Sequence, residues 1–186
     1  MKEYIVTVMA RDRVGIVRDT STALYDLGGN ITHMSQTVMR GYFTLIMSVE
    51  MPDDRTQLEI RQGVERMGEV GELEVNVRPY FEAPAGKESQ SERFTLSIQG
   101  LDQKGIISKV TTYLADSNIN IDDFYAYLLD GRSVMLIQVS IPISVNVEEV
   151  QAGLRRLGEE RSLTVHLQHQ NIFRATSEIT PVMDLD

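Results

Sequence analysis

The chain opens on a short alternating segment, Tyr4 to Met9, whose successive side chains point to opposite faces of a strand. From Gly15 the period lengthens. Ile16, Thr20, Ala23, Leu24 and Leu27 fall on one stripe of a helix that stops near Gly28-Gly29. Two strands follow, about Ile31–Met39 and Tyr42–Glu50, joined by Arg40-Gly41. A second helix over about Arg55–Met67 and a last strand over about Leu73–Arg78 complete the unit.

The same succession then returns. Ile106, Val110, Tyr113 and Leu114 form the second helical stripe, ending near Ser117-Asn118. Strands over about Ile121–Leu129 and Ser133–Ile141 flank Asp130-Gly131, a strong hairpin signal because Asp-Gly takes up positive φ cheaply. A helix over about Val145–Gly158 and a strand over about Leu163–Gln168 close the second unit.

Residues 4–78 lie over 94–168 at a constant offset of 90 without a gap, and 18 of the 75 aligned pairs are identical. Among them are Asp12/Asp102, Gly15/Gly105, Ile16/Ile106, Leu24/Leu114, Asn30/Asn120 and Gly63/Gly153. Two copies are too few for a solenoid, so duplicated domains are the reading. The expected division is a first domain over 1–80, a linker over 81–92, a second domain over 93–169 and a tail over 170–186. Pro84, Ala85, Gly86, Ser89 and Ser91 give the linker its composition. The order βαββαβ predicts an α+β, ferredoxin-like fold in each copy. Its antiparallel four-stranded sheet runs in order 4-1-3-2, with two helices on one face.

The motif Asp12-Arg13-Val14-Gly15-Ile16 with Asn30-Ile31, repeated as Asp102-Gln103-Lys104-Gly105-Ile106 with Asn120-Ile121, resembles the ACT domain family. The family's common proline before the glycine is replaced by Val14 and Lys104. Ser35-Gln36-Thr37-Val38 and Tyr42-Phe43-Thr44 resemble short stand-alone bacterial members. The resemblance implies a tandem, non-catalytic regulatory protein that binds an amino acid at an interface between ACT domains. A small effector such as glycine or serine, with a role in transcriptional control of amino-acid metabolism, is the expectation. The alternative is a protein-interaction adaptor that works by sheet-edge pairing and keeps only vestigial ligand sites.

An amino acid is a zwitterion, so its site needs donors for a carboxylate and acceptors for an ammonium. Backbone amides at Gly15 and Ile16, or Gly105 and Ile106, stand at a helix N-terminus that favours an anion. Asp12 or Asp102 can accept from the ammonium, and Asn30 or Asn120 can add a neutral hydrogen bond. Each of these residues has a plainer reading. The aspartates can cap the helices, the glycines can relieve crowding, and the asparagines can shape the turn into the second strand.

Composition narrows the remaining choices. There is no cysteine, which removes disulfides, thiolate metal sites and thiol nucleophiles together. His166 and His169, three apart in a strand, face opposite ways, so no metal or cofactor is expected. No nucleophile elbow or histidine-centred triad occurs, and an enzyme is not expected. A net charge of −9 repels phosphate backbones and argues against direct nucleic-acid binding. No apolar run approaches the ~18 residues of a spanning helix, so no membrane partner is expected and the expected location is the cytoplasm. A homo-oligomer or a regulatory protein partner is expected through the free sheet edges.

Overall fold

The computed structural model describes residues 1–82 and 90–171. Most of the expected linker, and the tail with Ile172, Phe173 and Pro181, lie outside the described residues. Contacts divide the chain into two compact units, parting between Pro84 and Ala85.

The first unit runs β1 (Lys2–Arg11), α1 (Ile16–Asp26), β2 (Asn30–Met39), β3 (Tyr42–Met51), α2 (Gln57–Glu65) and β4 (Glu74–Pro79). The second repeats this as β5 (Ser91–Leu101), α3 (Ile106–Asp116), β6 (Asn120–Leu129), β7 (Arg132–Pro142), α4 (Val147–Glu160) and β8 (Leu163–His169). Each unit holds one antiparallel sheet, ordered β2-β3-β1-β4 and β6-β7-β5-β8. This is the tandem βαββαβ architecture expected from the periodicity. Pairing of Ser91 with Pro142 carries β5 into the segment assigned above to the linker.

Alternation along the strands decides which face the helices cover. Tyr4, Val6, Val8 and Ala10 of β1 and Phe43, Leu45, Met47 and Val49 of β3 are buried beneath α1 and α2. Ile16, Leu24, Ile60 and Val64 enter the same core from the helices. Phe94, Leu96, Ile98, Met135, Ile137 and Val139 do the same in the second unit, with Ile106, Val110, Leu114 and Leu154. Each fully buried aliphatic side chain contributes ~1.5–3 kcal/mol by leaving water.

The local signals act as their chemistry requires. Arg40 and Gly41 have φ of 52° and 80°, and Asp130 and Gly131 have 48° and 72°. Two successive positive values make the primed turn whose twist suits a hairpin. The helix α2 starts inside the expected span because Thr56 and Glu59 form a reciprocal capping box. Asn146 caps α4 by accepting from the amides of Glu148 and Glu149. One bulge recurs in both copies, between Ile31 and His33 and between Ile121 and Asp123.

Candidate functional site at the strand-to-helix corners

Chain leaves β1 at Arg11 and is pinned at once, the Asp12 amide donating to the Gly41 carbonyl at 2.9 Å. The Asp102 amide donates to Gly131 at 3.0 Å in the second copy. Each corner is therefore tied to the tip of the neighbouring hairpin. The chain then turns through Gly15, with φ 98° and ψ −5°, or Gly105, with φ 83° and ψ 6°. A side chain there would impose left-handed strain, which explains glycine at both positions.

Neither α1 nor α3 has a side-chain cap. Asp12 and Asp102 do not cap the helices. The first α1 amide with a backbone acceptor is Asp19, which donates to Gly15 at 2.8 Å. The amides of Ile16, Val17 and Arg18 have no acceptor among the described residues. In α3 the Ile106 amide makes a long contact of 3.5 Å to Gln103, and Lys109 donates to Gly105 at 3.0 Å. The Ile16 and Ile106 side chains are buried in the cores, so those residues offer a ligand only backbone.

A cavity of about 480 Å³ opens over the first corner, lined by Asp12, Arg13, Gly15, Val17, Arg18, Gln36 and Phe43 among others. The second corner carries a smaller one of about 290 Å³, lined by Asp102, Gly105, Ile107, Tyr127, Leu128 and Ser133 among others. Both fit a small amino acid by volume.

The electrostatics of the two corners differ, and this was not foreseen from the shared motif. Arg13 pairs with Asp19 at 2.9 Å and with Glu72. Arg18 pairs with Asp19 at 2.7 Å. Hydrogen bonds from Arg18 and then Arg13 hold the Asp19 carboxyl below the usual carboxylate range, outweighing its burial. Glu72 is lowered by Arg13 and by the Glu69 amide. Asp12 accepts no side-chain hydrogen bond among the described residues and is exposed. The second corner has Gln103, Lys109 and Ser162 at the corresponding positions, and Gln103 donates to the Arg161 carbonyl at 2.8 Å. There Asp102 accepts from the Ser133 hydroxyl at 2.5 Å. The difference between Asp19 and Lys109 at equal offset was the available sequence signal.

Asn30 and Asn120 are not brought to these corners. Asn30 pairs with Glu50 at the far end of the first sheet, while Arg11 and Met39 pair with Tyr42 at the corner end. Eight residues along β3 separate Glu50 from Tyr42, a span of ~27 Å at strand rise. Asn30 donates to Glu50 at 3.4 Å and Asn120 to Asp122 at 2.8 Å. Within one domain, Asp12 and Asn30 therefore cannot hold the same small ligand.

His166 and His169 do point to opposite faces, since His169 pairs with core-facing Phe94 and His166 with Ser97. His169 meets the Phe94 ring edge-on, with centroids 5.2 Å apart. Among the described residues no group of three metal-ligating side chains occurs, and no helix is long and apolar enough to cross a membrane.

Family models described as the ACT domain match residues 4–61 and residues 92–168. The chain belongs to the ACT domain family. A UPF0237 protein of Listeria monocytogenes is 34% identical over 88 residues, covering 47% of this chain and 99% of that protein. A UPF0237 protein of Methanosarcina mazei is 38% identical over 76 residues, covering 40% and 83%. Among solved structures, an unknown protein from Galdieria sulphuraria superposes with TM-score 0.74 at 24% identity, covering 90% of this chain and 98% of that one. A protein assigned as a glycine cleavage system transcriptional repressor superposes with TM-score 0.67 at 16% identity, covering 90% and 96%. These two likenesses establish a shared tandem fold.

Proposed function

We propose that this ACT protein is a non-catalytic regulator that senses a small amino acid, glycine or serine being the leading candidates, at its strand-to-helix corners. The observation that carries this reading is the uncapped start of α1. Three free amides and the exposed Arg18 stand on one side of the cavity, and the unbonded Asp12 carboxylate on the other. An effector carboxylate would take the amides and its ammonium would face Asp12. The first corner is the stronger site, because Asp102 in the second is already engaged by Ser133. The fold shared with the assigned glycine cleavage repressor supports a role in transcriptional control of amino-acid metabolism. The cytoplasm is the compartment where such an effector would be read.

Calorimetric titration and thermal shift with the common amino acids test the proposal. At least one small amino acid is expected to bind in the micromolar-to-millimolar range, with Asp12→Ala and Arg18→Ala weakening it tenfold or more. No heat and no shift across the panel at millimolar concentration would remove the sensing role. Asn30→Ala is the internal control. It should leave binding unchanged, and a large loss would mean that the berth is shared with another domain.

A second reading rests on β2, which is an edge strand exposed along its whole length apart from half-buried Ile31. An adaptor pairing its own strand there would be recovered with this protein regardless of added amino acids.

A further inference from the structure

The two copies diverge most on the sheet faces turned away from the helices. In the first domain that face is hollowed into a groove of about 560 Å³ running across all four strands. Its floor is Met9 and Ile46, its walls carry the small side chains Ser35, Thr37 and Thr44, and its single charged lining residue is Glu74.

The offset of 90 replaces Ser35 and Thr37 with Tyr125 and Tyr127, and Thr44 and Ile46 with Val134 and Leu136. Register places these on one face, since Tyr127 pairs with Val134 and Tyr125 with Leu136. Leu101 and Leu129 both pair with Arg132 at the end of the same face. What is a groove in the first domain is thus an apolar ridge in the second. Tyr127 is 63% exposed and Leu129 64%, an unusual amount of large apolar surface to leave in water. Arg132 is the one full charge in these three rows of the ridge.

We propose that the tyrosine ridge of the second domain seats in the groove of the first domain of a second copy of this chain, reciprocally, closing a two-fold dimer. Sheets packed face to face interdigitate at a spacing of ~10 Å, which lets ridge side chains fill a facing groove. A four-stranded face four residues deep covers ~400 Å², at ~4.8 Å between strands and ~6.6 Å between rows. One such contact is half of a standard interface, and two reciprocal contacts give the ~800 Å² per partner that a stable dimer needs. Tyrosine is enriched in such interfaces. A chain of net charge −9 repels its own copy, so the surfaces that meet should be nearly neutral and complementary. Here a lone Glu74 would face a lone Arg132. The pairing is independent of whether the corners bind an effector.

Sedimentation equilibrium of the full chain over a wide concentration range tests this. The wild type should show a monomer–dimer equilibrium. Tyr125→Ser with Tyr127→Ser, which removes the ridge, and Ser35→Tyr, which fills the groove, should each raise the dimer Kd tenfold or more. Glu74→Arg and Arg132→Glu should each weaken the dimer, and combining them should bring Kd back to within a few-fold of wild type. All these positions are solvent-facing, and circular dichroism checks that the variants fold. A chain that stays monomeric at every concentration overturns the proposal. A dimer indifferent to the ridge and groove substitutions, as pairing through β2 edges would give, overturns it equally.

Discussion

The phenol ring of Tyr113 on α3 occupies the space that a β-carbon at Gly153 on α4 would need. The Tyr113 hydroxyl also donates to the Val150 carbonyl at 3.2 Å, so the ring is held in place. Glycine is the only residue that admits it. The first copy solves the same problem with Leu27 against Gly63, where an added β-carbon would lie 2.7 Å from a flexible methyl. Gly153→Ala should therefore destabilise the second domain by ~1–3 kcal/mol through overpacking, more than the ~1 kcal/mol that alanine gains in helix propensity. Urea unfolding reads the difference. Net stabilisation would mean that the ring swings clear at no cost.

Removing a true cap and removing a residue that only resembles one should give opposite results. Thr56 accepts from the Glu59 amide and Glu59 from the Thr56 amide, so Thr56→Ala should cost ~1 kcal/mol. Asp12→Ala should cost less than ~0.5 kcal/mol, since no side chain caps α1, while abolishing any effector-induced thermal shift. Equal losses in the two variants would return Asp12 to a structural role.

Acid sensitivity should concentrate in the first domain. The carboxyls of Asp19 and Glu72 are held below their ordinary range by Arg13, with Arg18 the larger influence on Asp19. A carboxyl depressed on folding contributes stability above its unfolded pKa, near 4, and that contribution is lost as pH falls through the folded value. The stability gap between wild type and Arg13→Met should be full at pH 7 and close as pH drops below about 4. A gap that is constant from pH 7 to pH 2, by denaturation at each pH, would contradict the ion-pair network.

Thr20 is fully buried, and its hydroxyl has no hydrogen-bond partner among the described residues. The second copy carries Val110 at the same position, also fully buried. Thr20→Val should stabilise the first domain by about 1 kcal/mol, because it removes an unsatisfied polar atom without changing shape. An unchanged or lower midpoint in thermal unfolding would show that the hydroxyl is satisfied in solution.

Most of the fold was legible because its causes are local. Alternation in Tyr4–Met9, the stripe from Ile16 to Leu27, and Arg40-Gly41 or Asp130-Gly131 between apolar runs each act within a few residues. The corner glycines were legible for the same reason. The separation of Asp12 from Asn30 was latent in the order of elements too. A strand–helix–strand crossover returns the chain to the end where it began, so the first residue of β2 lies beside the start of β1, not its finish.

The sequence by itself determined the duplication, the element order, the sheets and the glycine corners, since spacing and turn chemistry are written along the chain. Only the tertiary structure decided what stands around each corner. Arg13 reaches Glu72 across 59 residues, Asp102 meets Ser133 across 31, and eight small or large side chains from four strands make a groove in one copy and a ridge in the other. Such neighbours are fixed by chain reversal and strand register, which act at distances no local pattern encodes.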